Sequence, residues 1–144
     1  MNHNSASVVV VPCSGIGKSL GSVTRETAYE LCENLRPHDT QLVALSKLVL
    51  GEEQARERVR TIPAVTIDGC KQMCADKLVK QSGGAIANEV AVFDAFRRHK
   101  DLKPEGIAEL NAAGKELARV LAEEIAEFID TMGSSESKPG GHHA

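Results

Sequence analysis

The chain has 144 residues, 42% of them hydrophobic, with 17 basic and 20 acidic side chains giving a formal charge of −3. That length suits one domain burying about two-thirds of its unfolded surface, and the mildly acidic balance supplies no field for nucleic acid or an anionic membrane. With 3% aromatics and no tryptophan, the chain also lacks a stacking platform for bases.

The opening MNHNSASVVVV carries no basic stretch and only four consecutive valines before Pro12. Neither a signal peptide nor a spanning helix is expected, so the compartment read from the sequence is the cytoplasm. There four irregularly spaced cysteines point to metal ligands, reactive thiols or core fillers rather than to a disulfide frame. Val8 to Val11 is a continuous β-branched run, the pattern of a strand buried on both faces of a parallel sheet. The loop PCSGIGKSLGS follows, with Ser22 as an expected N-cap and Ala28, Leu31, Cys32 and Leu35 as a helical stripe closing near Pro37. Gln41 to Leu45 reads as a second strand, and Ser46 to Leu50 either extends it or begins a helix. Gly51 to Arg60 is charged and helix-favouring, and Pro63 ends it ahead of a third strand at Ala64 to Ile67. A helix over Cys70 to Gln81 stops at Gly83-Gly84, and Ala87 to Phe93 reads as a fourth strand. Arg97 to Lys103 is expected as a solvated connector. Pro104 then opens a long helix whose stripe runs through Ile107, Leu110, Leu117, Leu121, Ile125, Phe128 and Met132.

Strands alternating with helices imply right-handed crossovers and an α/β fold. It is expected as three layers around a small, mostly parallel, four-stranded Rossmann-like sheet, with a long C-terminal helix. Residues 1–133 form the single domain, and the composition of 134–144 is that of a disordered tail. The C-terminal stripe packs on the sheet or on a second copy, making a homodimer an expected alternative. In such folds the ligand sits beyond the carboxyl ends of the strands, near a topological switch point.

That edge is where the cysteines point. Cys13 follows the first strand, and Cys70 and Cys74 follow the third. Four apart on one helix face, the last two would have Cβ atoms about 5 to 6 Å apart. The start of a helix carries roughly half a positive charge, a setting that suits anionic sulfur. Cys32 lies about ten residues into the first helix, roughly 15 Å along its axis, toward the opposite edge, and is expected in the core. Three sulfur ligands would leave one coordination position open for water, substrate or another side chain. Asp68 is the nearest candidate for that place, and equally for capping the helix ahead of it. PCSGIGKS compares with the phosphate-binding loop G-x-x-x-x-G-K-[ST], but proline stands where its first glycine belongs and removes an N–H donor. A small-anion site at Ser14, Gly15, Gly17 and Lys18 is the reading left. The five histidines fall in termini and polar connectors and read as solvated.

The pieces PCSGIGK and TIDGCKQMCADK, the latter followed by a Gly-Gly turn, resemble the DGC-domain family of zinc-binding proteins, over about Val8 to Ala91. The resemblance implies cysteine chelators at Cys13, Cys70 and Cys74. Many members carry a fourth cysteine at the end of the second strand, where this chain reads LVALSKLVLG. The function expected is therefore binding of zinc, or another thiophilic metal, by thiolates with an open position. The alternative is a thiol-based redox or sulfur-transfer enzyme, or an iron–sulfur protein, using Cys70 and Cys74.

Overall fold

The computed structural model describes residues 6–15, 18–106 and 108–137. Ile107 of the expected stripe, Gly17 of the expected anion loop, three of the histidines and the end of the expected tail fall outside them. Four strands make one sheet, β1 (Val8–Pro12), β2 (Thr40–Leu42), β3 (Ala64–Asp68) and β4 (Ile86–Ala91). Their order is 2-1-3-4 and every pairing is parallel.

The valine run makes β1 the centre of this sheet. Val8 and Val10 enter one apolar cluster with Val65 and Ile67, whereas Val9 and Val11 enter the cluster on the opposite face with Ala64. Successive side chains of a strand point to opposite faces, so only a strand covered on both sides tolerates such a run. The first cluster is roofed by α1 (Ser19–Tyr29) and later by α5 (Val92–Arg98) and α6 (Ala112–Ser137). The second is roofed by α2 (Leu45–Val49), α3 (Glu53–Thr61) and α4 (Cys74–Gln81). The chain crosses from β1 to β2 over the first face and from β2 to β3, then β3 to β4, over the second. Reversing direction along the sheet changes the face, which keeps one hand for all three crossovers.

Five element boundaries differ from expectation. The second strand ends at Leu42, and Leu45, expected as its last residue, opens helix α2. Helix α1 starts at Ser19 instead of after Ser22, and it ends in a π-helical turn, Glu30–Leu35, closed by Arg36 N–H donating to Leu31 O at 2.8 Å. The fourth strand stops at Ala91, and Val92–Arg98, expected as strand end and connector, is helix α5. Helix α6 begins at Ala112, because Asn111 Oδ1 accepts from Gly114 N–H at 2.8 Å and from Glu105 N–H at 3.0 Å. One side chain thereby caps the helix and folds back the Pro104 segment. Helix α4 begins at Cys74, four residues later than expected. The stripe of α6, from Leu117 to Ile129, is buried in the first cluster of its own chain.

Thr66, fully buried in the middle of β3, has a hydroxyl without a hydrogen-bond partner. A buried unpaired hydroxyl costs about 1 to 3 kcal/mol. Thr66→Val is therefore expected to raise the unfolding free energy by about 1 kcal/mol, read as a higher urea midpoint at unchanged slope.

Candidate functional site

Strand order 2-1-3-4 places the topological switch point between β1 and β3, the neighbours from which the chain departs in opposite directions. The carboxyl ends of these two strands carry Cys13 and the Asp68-Gly69-Cys70 turn. The β1/β3 ladder runs one step past the strand, with Cys13 N–H donating to Ile67 O at 2.9 Å. Beyond it the Gly69 N–H donates to Cys13 Sγ at 3.3 Å. The sulfur of the first motif is thus held by the backbone of the second, fifty-six residues on.

Helix α1 closes this junction from the side. Thr24, fully buried, donates its hydroxyl to Gly21 O at 2.6 Å and accepts the Ser14 N–H at 3.0 Å. The Cys13 thiol lies 3.9 Å from the same hydroxyl oxygen. Ser14 takes a left-handed conformation, φ 53°, and its carbonyl accepts from Arg25 Nη1 at 3.3 Å. Glycine is required where the backbones meet. A Cβ on Gly21 would lie 2.1 Å from Gly15 O, and one on Gly69 would lie 3.0 Å from the Leu20 carbonyl. Of the described residues of the expected anion site, Gly15 lies against Gly21 and the Ser14 N–H is already engaged by Thr24.

The third strand ends in Asp68, which is 1% exposed and whose two oxygens are occupied. Oδ1 accepts from Ala75 N–H at 2.8 Å and Oδ2 from Asp76 N–H at 3.1 Å, so its side chain caps α4 from across the intervening turn. Burial pushes the Asp68 carboxyl above its ordinary value, opposed by these two amides. Behind it Asp76 pairs with Lys80 Nζ at 3.0 Å. The nearby Asp76 carboxyl raises the Glu89 pKa, with Lys80 opposing.

Between Asp68 and α4 the chain makes a turn, with Met73 N–H donating to Cys70 O at 3.2 Å and Met73 left-handed at φ 54°. Cys70 therefore lies in the turn and Cys74 opens the helix, and the pair does not share one helix face as a helix from Cys70 would require. Both are exposed. Cys32 sits in the π-helical turn at the opposite end of the sheet, packed against the first cluster near Thr40, and burial pushes its thiol up. Among the described residues no three His, Cys, Asp or Glu side chains are gathered around one point as metal ligands. In donor type the edge fits a thiophilic ion; in arrangement only Cys13 and the Gly69 amide are joined. A cavity of about 520 Å³ opens beside Cys70, bounded by the start of α1, the turn and α5. Its α5 wall escaped the sequence reading, which took Arg97 for part of a wet connector.

A small parallel α/β domain with paired thiol-bearing loops at its switch point is the class these features define. The chain belongs to the DGC domain family, whose model matches residues 9–129. No curated protein and no solved structure matched the chain. No described helix is long and apolar enough to cross a membrane.

Proposed function

We propose that this chain binds a thiophilic metal ion, zinc by its donor chemistry, through Cys13, Cys70 and Cys74. The observation that carries the reading is the Gly69 N–H bond to Cys13 Sγ, which holds the Cys-Ser-Gly and Asp-Gly-Cys motifs in contact. Membership of the DGC domain family supports it. Sulfur ligands neutralise zinc at about 2.3 Å and are found in closed and open sites alike. The three thiols leave the remaining position to water or an incoming donor, because Asp68 is engaged by the amides of α4.

Zinc per chain, measured on freshly purified protein after removal of loosely held ions, tests the reading. Wild type and Cys32→Ala are expected to hold one equivalent, and Cys13→Ser about tenfold less tightly or not at all. The terminal histidines are common to every variant, so the difference between variants is unaffected by them. Full binding by Cys13→Ser would end the proposal.

A second reading, thiol chemistry at Cys70, is favoured by one observation, the exposure of that thiol on the wall of a cavity. Metal-free protein in which Cys70 alkylates reversibly and far faster than Cys32 supports it. Brown protein carrying iron and sulfide would support a cluster instead.

A further inference from the structure

The cavity beside Cys70 combines two features that the thiols alone do not explain. Its inner walls are apolar: Leu20 from α1, Phe93 and Phe96 from α5, and Pro104. Phe93 and Phe96 are two of the three phenylalanines in the chain, and they stand three apart on α5, so they face the same way. Its rim is cationic, formed by Lys18, Lys71, Arg97 and Lys103, and no acidic side chain lines it.

The rim charges differ in their engagement. Arg97 lies 5.5 Å from the centroid of the Phe93 ring and donates to Asp94 Oδ1 at 3.1 Å, which neutralises much of its charge. Lys18, Lys71 and Lys103 form no salt bridge among the described residues. Helix α1 begins at the same place without a capping side chain, so its first amides add positive potential there. In a chain with net charge −3, three lysines without acidic partners around an apolar pocket are not explained by the overall charge balance.

We infer that this cavity binds a small organic anion, a flat apolar body bearing a phosphate or carboxylate, and holds it next to Cys70. Its volume is within the range of small-molecule sites, about 300 to 1,000 Å³, and apolar walls with few convergent polar groups are the usual composition of such sites. The aromatic pair takes the body and the lysines take the charge. The inference stands on the pocket itself and does not require that a metal be bound.

The test is a titration of the full chain with 1-naphthyl phosphate in a chelating buffer, so that its outcome is independent of zinc. Because the protein has no tryptophan, the anisotropy of the naphthyl fluorescence reports binding directly. Saturable binding is expected, with 1-naphthol at least about tenfold weaker because it brings the same ring without the charge. Lys71→Glu with Lys103→Glu should weaken the phosphate about tenfold per lysine, whereas Lys47→Glu on α2 should leave it unchanged. These substitutions lie at exposed positions, and far-UV circular dichroism checks that the fold is kept. Phe93→Ala should weaken naphthyl phosphate more than it weakens competition by inorganic phosphate. Equal binding of naphthol and naphthyl phosphate, full binding by the double variant, or no saturable binding at millimolar probe would each overturn the inference.

Discussion

Gly21→Ala is expected to destabilise the protein by about 2 to 3 kcal/mol, a large part of the stability of a domain this size. Two effects oppose each other. Alanine inside a helix is better than glycine by about 0.5 to 1 kcal/mol, so on propensity alone the change would stabilise α1. Against this, the new Cβ would lie 2.1 Å from Gly15 O and 2.7 Å from its carbonyl carbon, both backbone atoms that no rotamer change can move. The clash wins, and the loop from Cys13 must lift off α1. That lift costs more than contact, because Thr24 ties Gly21 O and Ser14 N–H together through one hydroxyl. The Gly69 contact with Cys13 Sγ rests on the same surface, so the zinc binding proposed above should weaken with stability.

Gly15→Ala provides the matched comparison. A Cβ there meets its nearest atoms at 3.8 and 3.9 Å, ordinary contact distances, and Gly15 has no positive φ. Its stability is expected to stay within about 0.5 kcal/mol of wild type. Urea unfolding followed by circular dichroism measures both. Equal stability of the Gly21 and Gly15 variants would mean that the loop can move away freely, and the junction would not be the rigid centre of the site.

The parts of this fold carried by periodicity were legible in the sequence. Four valines in a row can only be a doubly covered strand, and β1 is the strand on which the whole sheet is built. The placement of Cys13 and Cys70 at one edge followed from knowing which strands precede them, and Cys32 was separable by its distance along α1. Two of the misread boundaries, the starts of α4 and α6, share a different cause: each is set by a side chain bonding across the chain, which a local pattern does not carry. Asp68 caps α4 from six residues before its first residue, so the helix begins at Cys74 although Asp-Gly-Cys resembles a helix start. Met73 in the left-handed region has no signature in its own residue type. Asn111 could have been found, since Asn-Ala-Ala-Gly ahead of a helical run is a capping pattern, but Pro104 offered an earlier start. Helix α5 was hidden because Val92 and Phe93 continue the β-favouring composition of β4. With it went the aromatic wall of the cavity and the role of Arg97 on its rim.

Asp68 offers the second large effect, and a sign that can be checked. Removing it as Asp68→Ala leaves the Ala75 and Asp76 amides at the buried start of α4 without acceptors, at a cost of about 2 to 3 kcal/mol. Asp68→Asn keeps one acceptor and should lose about 1 kcal/mol. The carboxyl is pushed above its ordinary value of 3.8 chiefly by burial, with the two amide bonds opposing and the charge of Asp76 adding to the rise. An acid whose pKa is raised on folding holds its proton to higher pH in the native chain than in the unfolded one. Its contribution to stability is therefore full below the unfolded value and declines as pH rises through the folded value. Asparagine does not titrate, so the stability advantage of wild type over Asp68→Asn should be greatest in acid. It should shrink as pH climbs above 3.8 and level off toward neutrality. Urea unfolding of both proteins between about pH 3.5 and 7 measures this difference. A difference that grows with pH would mean that the amide bonds outweigh burial and the carboxyl titrates below its ordinary value. The same variant separates capping from ligation, since a residue that only positions α4 and Cys74 should leave the zinc equivalent of Asp68→Asn intact, whereas loss of zinc without loss of fold would make Asp68 a ligand.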